Sequence, residues 1–307
     1  MRTFSHAGIL MALLSAFAAT PVHSQQPTEI VVIGQAPEKM RNETESYLNQ
    51  VGVAAGERPT SRWFDPICPR AIGLQSQQAA LAERQIREIS TLVGAPLAKD
   101  GCSPNFAIVF TGDGGAVVRQ IAKKESTRLR EVPASAQNEL KQGTAPVRWW
   151  YETEIRESDG RPMIGAPPPS LMVFSVGGMA SSGSGTLAGT VPSNEEKYLN
   201  HYSSSAVSTQ VVRALRSATV IVDVSRAKGK PLSSVVAYAA MVGLAEIRQG
   251  AAPGPSILSL FSNKAIDDLT FSDTAFLKSL YRVHMDRTAE QQRRTLVGGM
   301  LQERKKN

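Results

Sequence analysis

The feature that most restricts the fold of this chain is its pair of cysteines, the only two among 307 residues. Cys68 lies between two prolines in the stretch RWFDPICPRAIGL, and Cys102 precedes the apolar run NFAIVFT. Both neighbouring segments have the composition of β-strands, and the residues between them have helical spacing. A bond between the two sulfurs would tie two strands together across one helix. A nucleophilic thiol or a metal ligand is the alternative role for either cysteine.

The first 24 residues have the organisation of a secretory signal peptide. Arg2 precedes a short apolar run over residues 8–19, and Val22 and Ser24 occupy positions −3 and −1 of a cleavage site. A membrane anchor is the alternative, but the run is well short of the roughly 20 apolar residues that span a bilayer. We therefore predict a periplasmic or secreted protein that has no transmembrane segment once residues 1–24 are removed.

Export decides between the roles open to the cysteines. An even number of cysteines in an oxidising compartment favours a disulfide, here Cys68–Cys102. Two thiols make a poor zinc site without histidines, and no base that could activate a thiolate nucleophile is evident in the sequence. Closing a loop of about 35 residues stabilises the folded chain by roughly 3–4 kcal/mol in the chain-entropy model.

The mature chain is long enough for one large domain, and its composition divides it into three parts. Residues 25–60 are polar apart from the patch EIVVIG and are predicted as a mostly disordered lead-in with one short strand. Residues 61–284 form the predicted α/β domain, in which the glycine- and serine-rich residues 177–200 are a flexible insertion. Residues 285–307 are predicted as a basic helical tail.

Within the domain, the period of the apolar residues predicts both strands and helices. Thr270 and Asp273 form a capping box at the start of one helix, and Asp113 is a suitable cap for another. Residues 232–247 are mostly apolar and predict a long buried helix, being too few to cross a membrane. The other predicted elements are strands at 67–74, 105–111 and 218–224, helices at 75–93 and 113–123, and a strand from residue 147 that ends in a turn at 158–160.

Most familiar catalytic motifs are absent. Once the signal peptide is removed only His201 and His284 remain, and they lie too far apart in sequence to form the H-E-x-x-H zinc site. The serines near His201 lack the G-x-S-x-G elbow. The loop GDGG at residues 112–115 lacks the lysine of a phosphate-binding loop, and Asp113 would repel a phosphate. We assign no metal, no cofactor and no catalytic residue.

Charge gives little indication of a partner. With Arg2 removed, 33 of the 34 basic side chains remain against 27 acidic ones, and the excess is scattered except at residues 304–306. Neither a zinc-finger spacing nor an aromatic–basic ribonucleoprotein motif is present, which disfavours nucleic acid. Acidic side chains are available for a carboxylate mechanism, but no spacing singles out a pair among Asp65, Asp113, Asp159 and Asp223.

Several of these segments together resemble an uncharacterised family of secreted bacterial proteins and, more remotely, the zincin-like predicted secreted metalloproteases. The resemblance is carried by W-x-x-P-I at residues 63–67, Gly-Ala-Pro at 94–96, P-N-F-A-I-V-F-T at 104–111, V-I-V-D at 220–223, G-L at 243–244, S-I-L-x-L-F at 256–261 and L-T-x-x-D-x-x-F-L-K-x-L-Y at 269–281. In the zincin-like relatives the long helix carries a metal-binding histidine and a catalytic glutamate. Here the matching residues 236–240 contain no usual zinc ligand, and Glu246 lies beyond them. The resemblance therefore implies a zincin-like fold without its zinc.

The resemblance implies a single zincin-like α/β domain with a mixed sheet and a long buried helix. We therefore predict a non-catalytic envelope protein, a pseudo-metalloprotease that binds a peptide or protein partner. The predicted contact surface is the groove beside the helix at 232–247, together with Trp149, Trp150, Tyr151 and Tyr238. Adjacent residues of a strand alternate between its faces, so at least one of these aromatics could be exposed, although core packing is the commoner role. The competing prediction is a hydrolase that uses carboxylates without a metal, which requires two acids about 5–9 Å apart in one pocket.

Overall fold

The computed structural model of the protein describes residues 37–163, Thr209 and residues 211–306. The predicted signal peptide, the short strand predicted near residue 30 and the predicted insertion at 177–200 lie outside the described residues, as does His201. The described residues belong to one compact unit. They combine helices with a five-stranded sheet, which confirms the predicted α/β class.

The sheet is built around its longest strand, β5 (Val211–Asp223). One side of β5 pairs along its whole length with β4 (Val147–Glu157), which runs antiparallel. The other side pairs with two parallel strands placed end to end, β1 (Ser61–Trp63) and β3 (Phe106–Thr111), and β2 (Pro69–Ile72) lies parallel beyond β3. The sheet is therefore mixed, as predicted, and β4 forms one edge of the sheet that the described residues build.

Both faces of the sheet are covered, which explains the near-continuous apolar sequence of β5. On one face, α3 (Gly114–Lys124) and α4 (Ala134–Gln142) pack around a cluster that includes Trp150. On the other face lies the main core, to which α2 (Ser76–Val93) and α5 (Leu232–Leu244) contribute. The two faces of β4 therefore contact two different cores.

Helix α5 confirms the predicted long buried helix, since every residue from Ser234 to Leu244 is buried. It comes very close to the sheet at Gly243, where a Cβ atom would lie 1.9 Å from the ring of Phe106. The carbonyl of Gly243 also accepts a hydrogen bond from the Trp63 indole at 2.9 Å. Glycine is therefore required where the helix meets the sheet.

The disulfide Cys68–Cys102 is present, as predicted, with 6.0 Å between the Cα atoms. It joins the start of β2 to the loop before β3 and closes the β2–α2–β3 unit across the helix. Gly94 ends α2 in the left-handed conformation, with φ of 79°, as a Gly-Ala-Pro stop requires. An internal disulfide fits an oxidising compartment outside the cytoplasm.

Replacing both cysteines, Cys68→Ser with Cys102→Ser, is expected to lower the free energy of unfolding by roughly 3–4 kcal/mol, because the unfolded chain loses a cross-link. Urea denaturation of the oxidised, the reduced and the double-serine protein measures the effect. The reduced protein and the variant should have the same stability. A loss below about 1 kcal/mol in both would contradict this role of the disulfide.

Residues 25–60 were predicted to be mostly disordered, but part of this segment forms helix α1 (Pro37–Val51). It buries Tyr47 and Leu48 in the main core, and the Tyr47 ring contacts Phe276 with 5.9 Å between centroids. Charged and polar residues fill the other faces of this helix, so its composition resembles that of a disordered segment. The buried residues follow helical spacing, but they are too few to dominate the pattern.

The predicted basic helical tail is also part of the main core. Helices α6 (Phe271–Leu280) and α7 (Ala289–Lys306) pack against each other, and α7 also contacts α1. Leu296 and Val297 of α7 are buried. At Gly299 a Cβ atom would lie 2.7 Å from a side-chain atom of α6, so the two helices approach closely. The helix is therefore part of the domain, because its apolar side chains are buried in the main core while its basic residues are concentrated at its C-terminal end.

Candidate functional site

A cavity of about 350 Å³ lies beside the outer edge of β4, the edge turned away from β5. Four stretches of chain form its walls: the segment between α1 and β1, the segment that leads into α4, the middle of β4, and the segment after α5. Its polar lining includes Arg58, Glu131, Thr153, Arg213 and Glu246. These residues are far apart in sequence, so only the fold brings them together.

Hydrogen bonds from two aromatic side chains of β4 hold in place the cavity wall that the residues after α5 form. The Trp149 indole donates to the carbonyl of Ile247 at 2.9 Å. The Tyr151 hydroxyl donates to the carbonyl of Val242 at 2.6 Å and accepts from the amide of Ile247 at 3.0 Å. Burial raises the pKa of Tyr151 well above its usual value, so the hydroxyl stays neutral. These bonds hold Glu246, the residue before Ile247, at the cavity.

On the cavity side of β4, two backbone groups are bonded to side chains. The Gln249 amide donates to the carbonyl of Trp149. The Glu131 carboxylate accepts from the N–H of Thr153 at 3.0 Å and from its hydroxyl at 2.7 Å. A register shift between Glu152 and Thr153 marks the same point of the strand. Covering an edge with side chains or loops is one way in which natural sheets avoid pairing with another chain.

A cluster of charged groups lies at the cavity around Glu246. Arg213, in β5, makes two bonds to its carboxylate, at 2.7 and 3.2 Å. Arg58 lies 2.9 Å from the same carboxylate, and the hydroxyl of Ser61 donates to it at 2.6 Å. Burial alone would raise the pKa of Glu246, but the two guanidinium groups outweigh burial and hold this pKa at about 2. Glu246 is therefore ionised throughout the physiological pH range.

The pKa of Glu131 is shifted in the opposite direction. Burial of the carboxylate raises it, and the negative charge of Glu246 adds to the rise. The hydrogen bonds from Thr153 and the positive charge of Arg213 oppose the rise without cancelling it. Glu131 as a whole residue is exposed, while its carboxylate reaches inward to β4. Neighbouring carboxyl groups with opposite pKa shifts are frequent at functional sites.

The wall between α1 and β1 contains a strained residue. Ala54 has a φ of 49°, in the left-handed region that residues other than glycine seldom adopt. Two residues earlier, Gly52 has a φ of 78°, and a Cβ atom there would lie 2.8 Å from the Cβ atom of Arg248. Ala54 lines the cavity. Because strained backbone is concentrated at functional sites, this conformation supports a role for the cavity.

The structure places three of the four predicted contact aromatics at the cavity. Trp149, Trp150 and Tyr151 line it, although each tryptophan is only 2 % exposed. Tyr238 does not line it, since its ring packs against Trp149 and Phe261 in the core. Core packing, the commoner role, therefore holds for both tryptophans and Tyr238, while Tyr151 is partly exposed; the cavity lies past the end of α5.

The four acids that the sequence left open do not meet at the cavity. Asp65 forms an ion pair with the buried Arg156 of β4, and Asp159 forms one with Arg161 in the turn after β4. Asp113 caps α3, as predicted, by accepting from the helix at 2.8 Å. Asp223 accepts from the first N–H of the same helix at 3.2 Å. Because two carboxylates already occupy the start of α3, the GDGG loop is not suited to bind an anion.

The sequence patterns above did not predict a role for Glu131, Arg213 or Glu246 in the site. A signal was present for two of them. Arg213 lies inside the apolar run VVRAL, and Glu246 follows the apolar helix almost directly. A charge buried among apolar residues needs a partner of opposite sign, so these two could have been paired. Glu131 lies in a charged, irregular stretch, where no pattern distinguishes it from its neighbours.

No family model, curated protein or solved structure matches this chain. The resemblance to zincin-like proteins therefore stays a prediction. In the part of the chain that the structure describes, no group of three or more His, Cys, Asp or Glu side chains is placed to hold a metal ion. No helix there is both long enough and apolar enough to cross a bilayer. The cavity beside β4 is thus the feature on which a function can be based.

Proposed function

We propose that the protein is an exported, non-catalytic binding protein that holds a peptide segment of an envelope partner in the cavity beside β4. One observation carries the proposal: the cavity follows a sheet edge at which the backbone groups of Trp149 and Thr153 are bonded to side chains. An extended peptide can replace such side chains with its own backbone groups. Addition of a peptide to a sheet edge is a common mode of recognition.

The size and lining of the cavity support binding. Its volume of about 350 Å³ lies at the lower end of the range for ligand pockets. Aromatic and apolar groups line it together with a few polar groups that converge, which is the usual composition of a binding site. The bonds from Trp149 and Tyr151 to the segment after α5 give the cavity a fixed wall, which lowers the ordering cost of binding.

The second candidate function is a hydrolase that uses carboxylates and no metal. The opposite pKa shifts of Glu131 and Glu246 favour it, since one carboxyl would act as an acid and the other as a base or nucleophile. The partners of Glu246 disfavour it. Its carboxylate is already bonded to Ser61, Arg58 and Arg213, and a pKa of about 2 makes it a weak base. Binding is therefore the better supported proposal.

Selection from a library of random peptides displayed with free C-termini tests the proposal on the mature protein. Ala136→Trp places a large ring in the cavity wall, and Ala134→Trp places the same ring at an exposed position of the same helix. Peptides enriched on the native protein are expected to bind the Ala136→Trp variant about tenfold more weakly or worse, and to bind the Ala134→Trp variant normally.

Failure to enrich any peptide, or equal binding to both tryptophan variants, would contradict the proposed function. Cleavage of the enriched peptides by the native protein would instead favour the hydrolase, provided that Glu131→Gln abolishes the cleavage. Mass spectrometry of the peptides after incubation separates these results.

A further inference from the structure

We infer that the cavity recognises a carboxylate of its peptide ligand, and that the side chain of Glu131 occupies the carboxylate position until the ligand displaces it. This inference rests on the proposed function and adds the chemistry of the group that is bound. It assigns Glu131 the role of an internal competitor.

The surroundings of the Glu131 carboxylate are those of a carboxylate-binding position. The N–H of Thr153 donates to both carboxylate oxygens, at 3.0 and 3.2 Å, and its hydroxyl donates at 2.7 Å. Burial and the negative charge of Glu246 raise the pKa of a carboxyl at this position, and the positive charge of Arg213, which is 5 % exposed, opposes that rise. Backbone amides, hydroxyls and guanidinium groups are the donors that proteins use to bind carboxylates.

Glu131 is suited to leave this position. The residue belongs to the segment before α4 and is exposed, so rotation of its side chain carries the carboxylate into solvent. Burial destabilises its charged form at β4 relative to water, as the raised pKa indicates. A ligand carboxylate would meet the same donors, but the ligand would also bury apolar surface in the cavity. That additional burial favours the ligand over Glu131.

The rest of the ligand has further groups to bond along the same wall. The carbonyl of Trp149, four residues before Thr153, accepts from the Gln249 side chain and can accept a ligand N–H in its place. Helix α4 starts without a side-chain cap, and Pro133 and Ala136 at its start line the cavity. The positive end of the helix dipole therefore adjoins the position proposed for the carboxylate.

Glu131→Ala separates an internal competitor from an ordinary contact residue. Removal of a competitor raises the affinity for the selected peptides, by about tenfold if Glu131 occupies the position about nine-tenths of the time. Removal of an ordinary contact lowers it. Glu88→Ala, at an exposed position of α2 that does not line the cavity, is the matched control and should leave the affinity unchanged. Fluorescence anisotropy with the labelled library peptides measures all three proteins.

The same peptides are then compared as free acids, as C-terminal amides, and with their acidic side chains changed to amides. Loss of binding in one amide form shows whether the recognised carboxylate is the C-terminus or an acidic side chain. Either result supports the inference. Full binding in both amide forms, or unchanged or weaker binding to the Glu131→Ala protein, would overturn it while peptide binding stands. If the library yields no peptide for the native protein, the proposed function itself fails.

Discussion

Asp273→Ala is expected to lower the free energy of unfolding by about 3–5 kcal/mol, because this fully buried carboxylate is the acceptor for several buried donors. The hydroxyls of Tyr47 and Ser256 donate to one oxygen at 2.7 and 2.6 Å. The N–H groups of Ile257 and Thr270 donate to the other at 2.8 and 2.9 Å. Each buried donor left without an acceptor costs about 1–3 kcal/mol. Three or more such donors therefore cost more stability than a surface substitution does.

Urea denaturation at pH 7 measures this loss. Asp273→Asn keeps the size of the side chain and one acceptor oxygen, so its loss should be smaller than that of alanine. Asp267→Ala, at an exposed position before α6, is the surface control and should change stability by less than about 0.5 kcal/mol. A loss below about 1 kcal/mol for Asp273→Ala would mean that water satisfies the donors, contrary to the expected buried network.

Asp273 also shows how far a local pattern predicts tertiary structure. The capping box of Thr270 and Asp273 follows from their spacing and is present at the start of α6. The same carboxylate bonds Tyr47 in α1, 226 residues away, and no spacing rule predicts that contact. The cap was therefore predictable, while the junction of α1, α6 and the turn before Ile257 was not.

Other elements were predictable for the same local reason. The residues of α2 repeat at helical spacing and stop at a glycine, and β3 is a short apolar run bounded by turn residues. The pairing of the disulfide could be predicted without the fold, because a chain with two cysteines allows only one internal pairing. Helix α1 packs against a tertiary partner, and its polar sequence gives no indication of that partner, so its position could not be predicted.

The candidate site depends on strand register, which sequence patterns specify poorly. Pairing of β1 with β5 places Ser61 opposite Arg213, and both then contact Glu246 after α5. A register one residue away would turn Arg213 to the other face of the sheet. The aromatics of β4 were identified from the sequence, but the charged groups that share their cavity required the fold.

Glu246→Gln is expected to destabilise the protein by about 3–5 kcal/mol at pH 7, because it removes the charge that Arg213 faces in a buried position. The loss should depend on pH. The pKa of Glu246 is about 2 in the folded protein, below its ordinary value of 4.5, so the unfolded chain binds the proton more readily. The stabilisation is therefore complete above about pH 4.5 and is lost as the pH falls through about 2.

A difference of this size in pKa corresponds to about 3 kcal/mol. Between pH 5 and pH 2 the native protein should lose about that much stability beyond what the variant loses, as measured by urea denaturation at each pH. Glu88→Gln, on the exposed face of α2, should follow the native curve. Parallel curves for the native protein and Glu246→Gln would show that the carboxylate is not held in its charged form.

Arg213→Met combined with Glu246→Gln tests whether the loss comes from the pair. Removing one partner of a buried ion pair leaves a charge without its counter-charge, whereas replacing both removes that penalty. The double variant should therefore be more stable than the sum of the two single losses predicts, by about 1–3 kcal/mol. Additive losses would indicate that Arg58 and Ser61, rather than Arg213, hold the carboxylate at the cavity.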